Sequence, residues 1–388
     1  MLRILADENI PGLEQSLAGL GDLRRCAGGD ITADELRAID VLLVRSVTRV
    51  DAQLLRHSSL RFVGSCTTGI DHVDTDALRR AGIAFAHAPG ANARSVVEYV
   101  FSALCWLALN RQLNLPACSV GIVGLGQIGG RLYRMLSAAG LRCMAYDPFV
   151  SAGGDVRQVS SLEQVLQADV VTLHTPLTRA GAHPTWHMLD AQRLRQLRPD
   201  TVLINSCRGA VVDNAALCAQ LGQGERLHVV LDVWEGEPLI NRDLLLRVAL
   251  GTPHIAGYSY DGKVAGVAMV LRQLFAALNM AAPVALEQST TKSMASGVPL
   301  PGEAIDAFSR LASSAPVDSE WRALCAQMLA IYDVERDDRK LREAVLDAAD
   351  PGTAFTTLRR DYPVRREASY YRSADGAWPR IDELQRQA

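Results

Sequence analysis

Short apolar runs rich in β-branched residues alternate along the chain with stretches whose apolar positions recur at helical spacing. This is the pattern of a parallel sheet covered by helices. The runs MLRILAD, VLLVRSV, LRFVGSC and GIAFAHA come first, and SVGIVG, LRCMAYD, DVVTLHTP, TVLINSC and LHVVLDVW follow. Between the two sets lies the most apolar stretch, residues 96–109, with Ser95 just before it and Glu98 within it in S-x-x-E spacing. That spacing predicts a capping box at the start of a buried helix. The stretch is too short and too interrupted by Glu98 to span a bilayer. After His254 the pattern DGKVAGVAMVLRQLFAALNM again predicts a helix, one that would cross back onto the first set and make the first domain discontinuous. EQSTTKSMASGVPLPG is polar with Gly and Pro and reads as a linker. Beyond it the chain changes character, with helical runs at 321–331 and 340–348 and a very basic stretch, LRRDYPVRREASYYR. The expected division is therefore 1–96 with 256–286, then 97–255, then 287–388.

Composition narrows the classes. At 388 residues with 48% apolar content the chain can bury two or three cores, and 40 basic against 43 acidic residues offer no footprint for nucleic acid or an anionic membrane. The eight cysteines are irregularly spaced, without a CxxC pair, and several sit in apolar runs. Reduced thiols in a cytoplasmic protein are expected. The start, MLRILADENIP, lacks the apolar core and cleavage site of an export signal.

Specific chemistry begins with SVGIVGLGQIGGRL, where Gly124, Gly126 and Gly129 make GxGxxG between a strand pattern and a helix pattern. Gly124 permits the tight turn, Gly126 lets backbone approach a pyrophosphate, and Gly129 lets the helix pack on its strand. Gln127 and Ile128 would add amide donors at the positive end of the helix. Asp147, 18 residues after Gly129, ends the next strand, where a carboxylate accepts from ribose hydroxyls and repels a 2′-phosphate. The expected cofactor is NAD rather than NADP, the plainer alternative being that Asp147 merely starts a turn before Pro148.

Polar residues then gather at the ends of the later strands: Thr175, the run Asn205 to Arg208 with Ser206 and Cys207, Asp232, Glu237 and His254. Carboxyl ends of parallel strands line the ligand crevice. Oxidation of a hydroxy acid needs a base for the hydroxyl proton, and imidazole, with an unperturbed pKa of about 6.5, suits that task. His254 is the candidate base, Glu237 its orienting carboxylate, and Arg208 a planar clamp for a substrate carboxylate. Asp232 would be free for the nicotinamide side. Taken singly, each residue has a plainer reading as an ion pair, a cap or a satisfied core group; together, in this order after a dinucleotide loop, they point to catalysis. His174, His183 and His187 have no evident partners and read as structural or surface residues, and no metal-site spacing is present.

GLGQIGGRL, HTPLT, NSCRGAVVDNAAL, DVWEGEP and TPHIAG, taken in order, resemble the successive motifs of the D-2-hydroxyacid dehydrogenase family over about the first 285 residues. The resemblance implies a Rossmann-type doubly wound parallel sheet, a second flavodoxin-like α/β substrate (lid) domain, and a catalytic triad at Arg208, Glu237 and His254. Glutamate at 237 argues against the formate dehydrogenase branch. GAHPTWHML departs from the family's threonine-rich continuation after HTPLT. The first-domain loop SCTTGIDHVD carries Thr67 and Thr68 before Gly69, VRSVTRV offers Arg45, Ser46 and Thr48, and AGYSYDGK offers Tyr258 and Lys263, all suited to an anionic substrate.

Similarity of these loops and of the basic C-terminal stretch to a branch of the family acting on a phosphorylated sugar acid has further implications. It implies substrate contacts at Ser46, Thr67 and Tyr258, NAD contacts at Asp147, Thr175, Asp232 and Gly257, and a homodimer made by a small α+β C-terminal domain. The charge density of that stretch marks Arg359 and Arg360 as candidates to reach the partner's phosphate pocket. Rival readings are a 3-phosphoglycerate or glyoxylate/hydroxypyruvate type dehydrogenase, and an NAD-sensing, corepressor-like binding module.

Overall fold

The computed structural model describes residues 1–111, 113–151, 159–283 and 318–368, with side chains for 318–320 left aside. The described chain falls into two compact units, residues 1–92 with 259–283, and residues 93–258 with 318–368.

The first unit is a five-stranded parallel sheet of β1 (Leu2–Asp7), β2 (Gly21–Cys26), β3 (Val41–Val44), β4 (Phe62–Ser65) and β5 (Ala84–His87), in the order β2-β1-β3-β4-β5. That is the flavodoxin-like order. The central strands β3 and β4 are buried along their whole length, whereas the edge strand β2, GDLRRC, is half-exposed. One face is closed by the helix Tyr260–Ala277, whose Val267, Val270, Leu271, Leu274 and Phe275 join Ile4, Leu43 and Phe62 in one core. Ser259 caps this helix by accepting from Gly262 N.

In the second unit, β6 (Ser119–Val123), β7 (Arg142–Tyr146), β8 (Val170–Leu173), β9 (Val202–Asn205), β10 (His228–Leu231) and β11 (Leu250–Gly251) are all parallel, in the order β11-β10-β9-β8-β6-β7. Val159 adds a parallel bridge to Ala145 on the outer edge of β7, the place of the third strand in a 3-2-1-4-5-6 Rossmann sheet. Strand order reverses between β6 and β8, so the ligand crevice of such a sheet opens at Gly124 and Thr175.

The long helix is Ala93–Asn110, starting two residues ahead of the expected capping box. Ser95 and Glu98 are buried inside it, and Glu98 Oε1 accepts from Ala368 N instead of closing a helix start. Burial and the neighbouring Glu367 charge push the Glu98 carboxyl well above the ordinary range.

The described C-terminal residues form three helices, Asp318–Ile331, Val334–Val345 and Pro351–Arg360, with no strand among them. Trp321 and Met328 pack with the helix Ala93–Asn110, while Leu341, Val345 and Phe355 join Trp234, Leu244 and Leu245 in the opposite core. Arg342 donates to the carbonyls of Leu245 and Val248 at 2.6 and 3.0 Å, and Asp338 accepts from Gly251 N at 2.7 Å. The linker stretch lies outside the described residues.

Candidate active site

The glycine loop after β6 has the geometry a dinucleotide requires. Gly124 has φ +92°, where a side chain is strained, and a Cβ on Gly129 would lie 1.9 Å from Gly124 O. Around Gly126 nothing lies within 4 Å of where a Cβ would stand, leaving space over the backbone. Ile128 leads into the helix Gly129–Ala138, with Gln127 just before it. Asp147 Oδ2 accepts from Leu125 N at 2.9 Å and Oδ1 from Phe149 N at 3.0 Å, so this carboxylate both starts a turn and pins the glycine loop. Among the described residues, Ser206 Oγ is buried without a hydrogen-bond partner, and Thr175 Oγ1 has only the weak Cys207 thiol beside it. Buried hydroxyls in that condition fit a polar ligand. Burial raises the Cys207 thiol above its ordinary pKa, which keeps it neutral. His174, behind Gly124, bonds Thr172 through Nε2 at 2.9 Å, and burial lowers it to about 3, so it is a neutral structural residue. His183 stacks edge-on against Phe149.

The catalytic candidates meet where β9, β10 and β11 end. Glu237 Oε2 accepts from His254 Nδ1 at 2.7 Å, and Glu237 Oε1 accepts from Trp234 N at 2.9 Å. Burial raises the Glu237 carboxyl, but the His254 charge, the bonds from His254 and Trp234, and the Arg359 charge outweigh it and hold the group below its ordinary value. The anion therefore fixes the His254 proton on Nδ1, leaving the Nε2 lone pair to accept another. His254 has φ +56°, a left-handed backbone unusual outside glycine and a mark of a constrained functional residue.

Asp232 explains what holds that backbone. Its Oδ1 accepts from Thr252 Oγ1 and Ile255 N at 2.7 and 2.8 Å, its Oδ2 from Ala256 N at 3.0 Å, and its carbonyl from His254 N at 2.7 Å. Asp232, expected on the nicotinamide side, is 1% exposed and anchors the histidine loop. Burial raises its carboxyl even against these donors and the nearby His254 charge. Gly257 follows in the turn closed by Tyr258 N to Ile255 O, 2.8 Å.

Arg208 is half-buried just after β9, with Nη1 donating to Cys207 O at 2.7 Å. Gly209 lets this loop lie directly on the next one, since a Cβ there would reach the Trp234 carbonyl carbon at 2.0 Å. Arg208 is thereby held beside the loop that carries Glu237.

In the first unit, Arg45 and Ser46 follow β3, Ser46 exposed and Arg45 within 3.8 Å of the buried Asp7 carboxylate. Lys263 lies in the first turn of its helix, and burial, then the neighbouring Arg45 cation, lower its pKa. The Thr67 hydroxyl contacts Ser65 Oγ at 2.8 Å and Gly69 O at 3.0 Å, while Thr68 donates to Asn92 Oδ1 at 2.8 Å. These hydroxyls shape the SCTTG loop, with His72 joining Ser65 at 3.0 Å.

Two features escaped the sequence reading. His187 has partners after all: Nε2 lies 2.8 Å from Glu235 and Nδ1 3.6 Å from Asp213, with Trp186 stacked on its ring. The three side chains could in principle surround a cation, but Asp213 caps the helix Asn214–Gly222 and Glu235 accepts from Asn214 N, so they tie the GAHPTWHML loop to the loop before Glu237. Secondly, Arg359 lies 5.7 Å over the ring of Tyr258 in its own chain, while Arg360 pairs with the exposed Asp361. The basic density of the stretch had marked both as candidates to reach a partner, and the contact of Arg359 with Tyr258 within its own chain was not foreseen.

Comparison with known proteins agrees with this geometry. Residues 102–256 match the D-isomer specific 2-hydroxyacid dehydrogenase NAD binding domain, and residues 305–382 match a domain of unknown function, DUF3410. An erythronate-4-phosphate dehydrogenase of Pseudomonas putida is 46% identical over 94% of this chain and 92% of its own, and one of Pseudomonas aeruginosa is 43% identical over 99% and 98%. The D-lactate dehydrogenase of Aquifex aeolicus, solved with NAD and lactic acid, has the same fold: TM-score 0.60 at 24% identity, over 71% of this chain and 95% of that one. Among the described residues no helix is long and apolar enough to cross a membrane. With a nucleotide loop, a histidine–glutamate pair and full-length relatives all in agreement, the chain belongs to the erythronate-4-phosphate dehydrogenases, a branch of the NAD-dependent D-isomer specific 2-hydroxyacid dehydrogenases.

Proposed function

We propose that this enzyme oxidises 4-phospho-D-erythronate at C2 to (R)-3-hydroxy-2-oxo-4-phosphooxybutanoate, a step of pyridoxal 5′-phosphate synthesis in the cytoplasm. The observation that carries the reading is the 2.7 Å bond from His254 Nδ1 to Glu237, in a chain whose full-length relatives are named for this substrate. His254 Nε2 takes the C2 hydroxyl proton, and Glu237 stabilises the imidazolium that results. Arg208 holds the substrate carboxylate through its planar donors and polarises the forming carbonyl. Bound NAD supplies the acceptor for the hydride that leaves C2. Gly124, Gly126, Gln127, Ile128 and Gly129 would hold its pyrophosphate, Asp147 its ribose, and Thr175, Ser206, Cys207, Arg208, Asp232 and Gly257 its nicotinamide half. Arg45, Ser46, Thr67 and Tyr258 would contact the substrate. A homodimer through the C-terminal region is part of the same reading, supported by the similarity of its basic stretch, and sedimentation at micromolar concentration checks it.

Reduced-cofactor absorbance tests the proposal. Turnover of 4-phospho-D-erythronate with kcat/KM well above that for 3-phospho-D-glycerate or glycolate is expected. Preference for either rival acid reassigns the substrate, and NAD binding without turnover of any hydroxy acid makes the protein a sensor.

A further inference from the structure

Residues 358–368 wrap the loop that follows His254. Arg365 Nη2 donates to Ala256 O at 2.8 Å and to Ser95 O at 3.0 Å. Tyr362 meets Tyr258 edge-on, ring centroids 5.9 Å apart, and its hydroxyl is fixed on Asp337 at 2.6 Å. On this braced segment Arg359 covers the Tyr258 ring, and its charge helps keep Glu237 ionised. Arg359 Nε is buried and has no hydrogen-bond partner among the described residues. A buried guanidinium donor left unmatched is costly unless a ligand completes it.

The position of this arginine in the sequence adds to the argument. Arg359 lies within the 305–382 region and outside the dehydrogenase match at 102–256. A substrate that ends in a phosphate, as lactate does not, needs a cation at that end, and Arg359 is one that the dehydrogenase match does not include. We propose that Arg359, beside Tyr258, receives the phosphate of the substrate, so that the region added to the dehydrogenase fold carries the specificity for a phosphorylated acid. This rests on the substrate reading above. It also replaces the expected reach across a dimer by one within the chain.

The test is the ratio of kcat/KM for 4-phospho-D-erythronate to that for D-erythronate, in the wild type and in Arg359→Met. The ratio is expected to fall about 10- to 100-fold, the worth of one charge-assisted hydrogen-bonding group. The fall should lie mainly in KM of the phosphorylated acid, and inorganic phosphate should lose potency as a competitive inhibitor in parallel. If Arg359→Met melts early or binds NAD poorly, Arg359→Gln must show the same fall. An equal loss on both acids, or a ratio within about twofold of wild type in whichever variant folds, overturns the role and hands the phosphate to Arg45 and Lys263. A wild-type ratio near one removes the phosphate from the substrate reading itself, and Arg359's role with it.

Discussion

Replacing Glu237 by glutamine changes one oxygen for an amide and keeps the shape of the side chain. In the native site both carboxylate oxygens accept, Oε2 from His254 Nδ1 at 2.7 Å and Oε1 from Trp234 N at 2.9 Å. Glutamine has one acceptor, so its NH2 must face one of these two donors. If the oxygen stays with Trp234, the amide favours the imidazole tautomer with its proton on Nε2, where no lone pair is left for the substrate hydroxyl. The lost charge can also be sized. Opposite unit charges about 4 Å apart are worth ~4 kcal/mol at an effective dielectric of 20. With the His254 side chain 33% and the Glu237 side chain 17% exposed, about half of that survives screening. The remaining ~2 kcal/mol is stabilisation of the forming imidazolium that the variant loses, about 30-fold in kcat on its own. kcat at the optimum should fall roughly 100- to 10,000-fold, while the Kd for NAD measured by fluorescence titration stays put. A kcat within about threefold of wild type would refute the pairing as the source of imidazolium stabilisation.

Other consequences are equally direct. Asp147→Ala should lower kcat/KM with NAD by about 10- to 100-fold and shrink the NAD over NADP ratio, and an unchanged ratio would count against the ribose contact. Gly129→Ala drives a Cβ to 1.9 Å from Gly124 O, so the helix must shift. About 1–3 kcal/mol of stability and most NAD affinity should be lost, and normal melting with normal titration would show that the loop is looser than described. Glu98→Gln should alter the dependence of stability on pH. Burial and Glu367 raise the folded-state pKa of Glu98 above its ordinary 4.5. Between those two values the folded state keeps the proton that the unfolded chain loses, so stability falls as pH rises. The glutamine variant should flatten the decline in melting temperature between pH 4.5 and about 8; parallel curves would contradict this.

The apolar runs placed nine of the eleven strands among the described residues because hydrophobic burial dictates them. The two that escaped differ in kind. β2, GDLRRC, sits at a sheet edge with none of its residues fully buried, and β11 is two residues long, so neither needs an apolar signature. Glu98 misled for an electrostatic reason: the spacing of a capping box is also the spacing of two residues inside a helix, and the partner that makes Glu98 tolerable, Ala368 N, lies 270 positions away. His254 and Glu237 were legible because their chemistry fixes both residue types. The anchoring role of Asp232 was not, since the three backbone and hydroxyl donors it accepts from lie 20 to 24 positions on and are brought to it only by the fold. His187 with Asp213 and Glu235 belongs to the same class, a local constellation assembled by loops. The direction of Arg359 depended on how the helix Pro351–Arg360 packs, which its charge alone does not tell.

The central claim is that His254 is the base of a hydroxy-acid dehydrogenation. It is tested most directly by His254→Ala, following reduced-cofactor formation from 4-phospho-D-erythronate alongside NAD binding. The account predicts kcat lower by about 1,000-fold or more with NAD affinity within about twofold of wild type. Turnover close to wild type in that variant, with the pH profile unchanged, would contradict it.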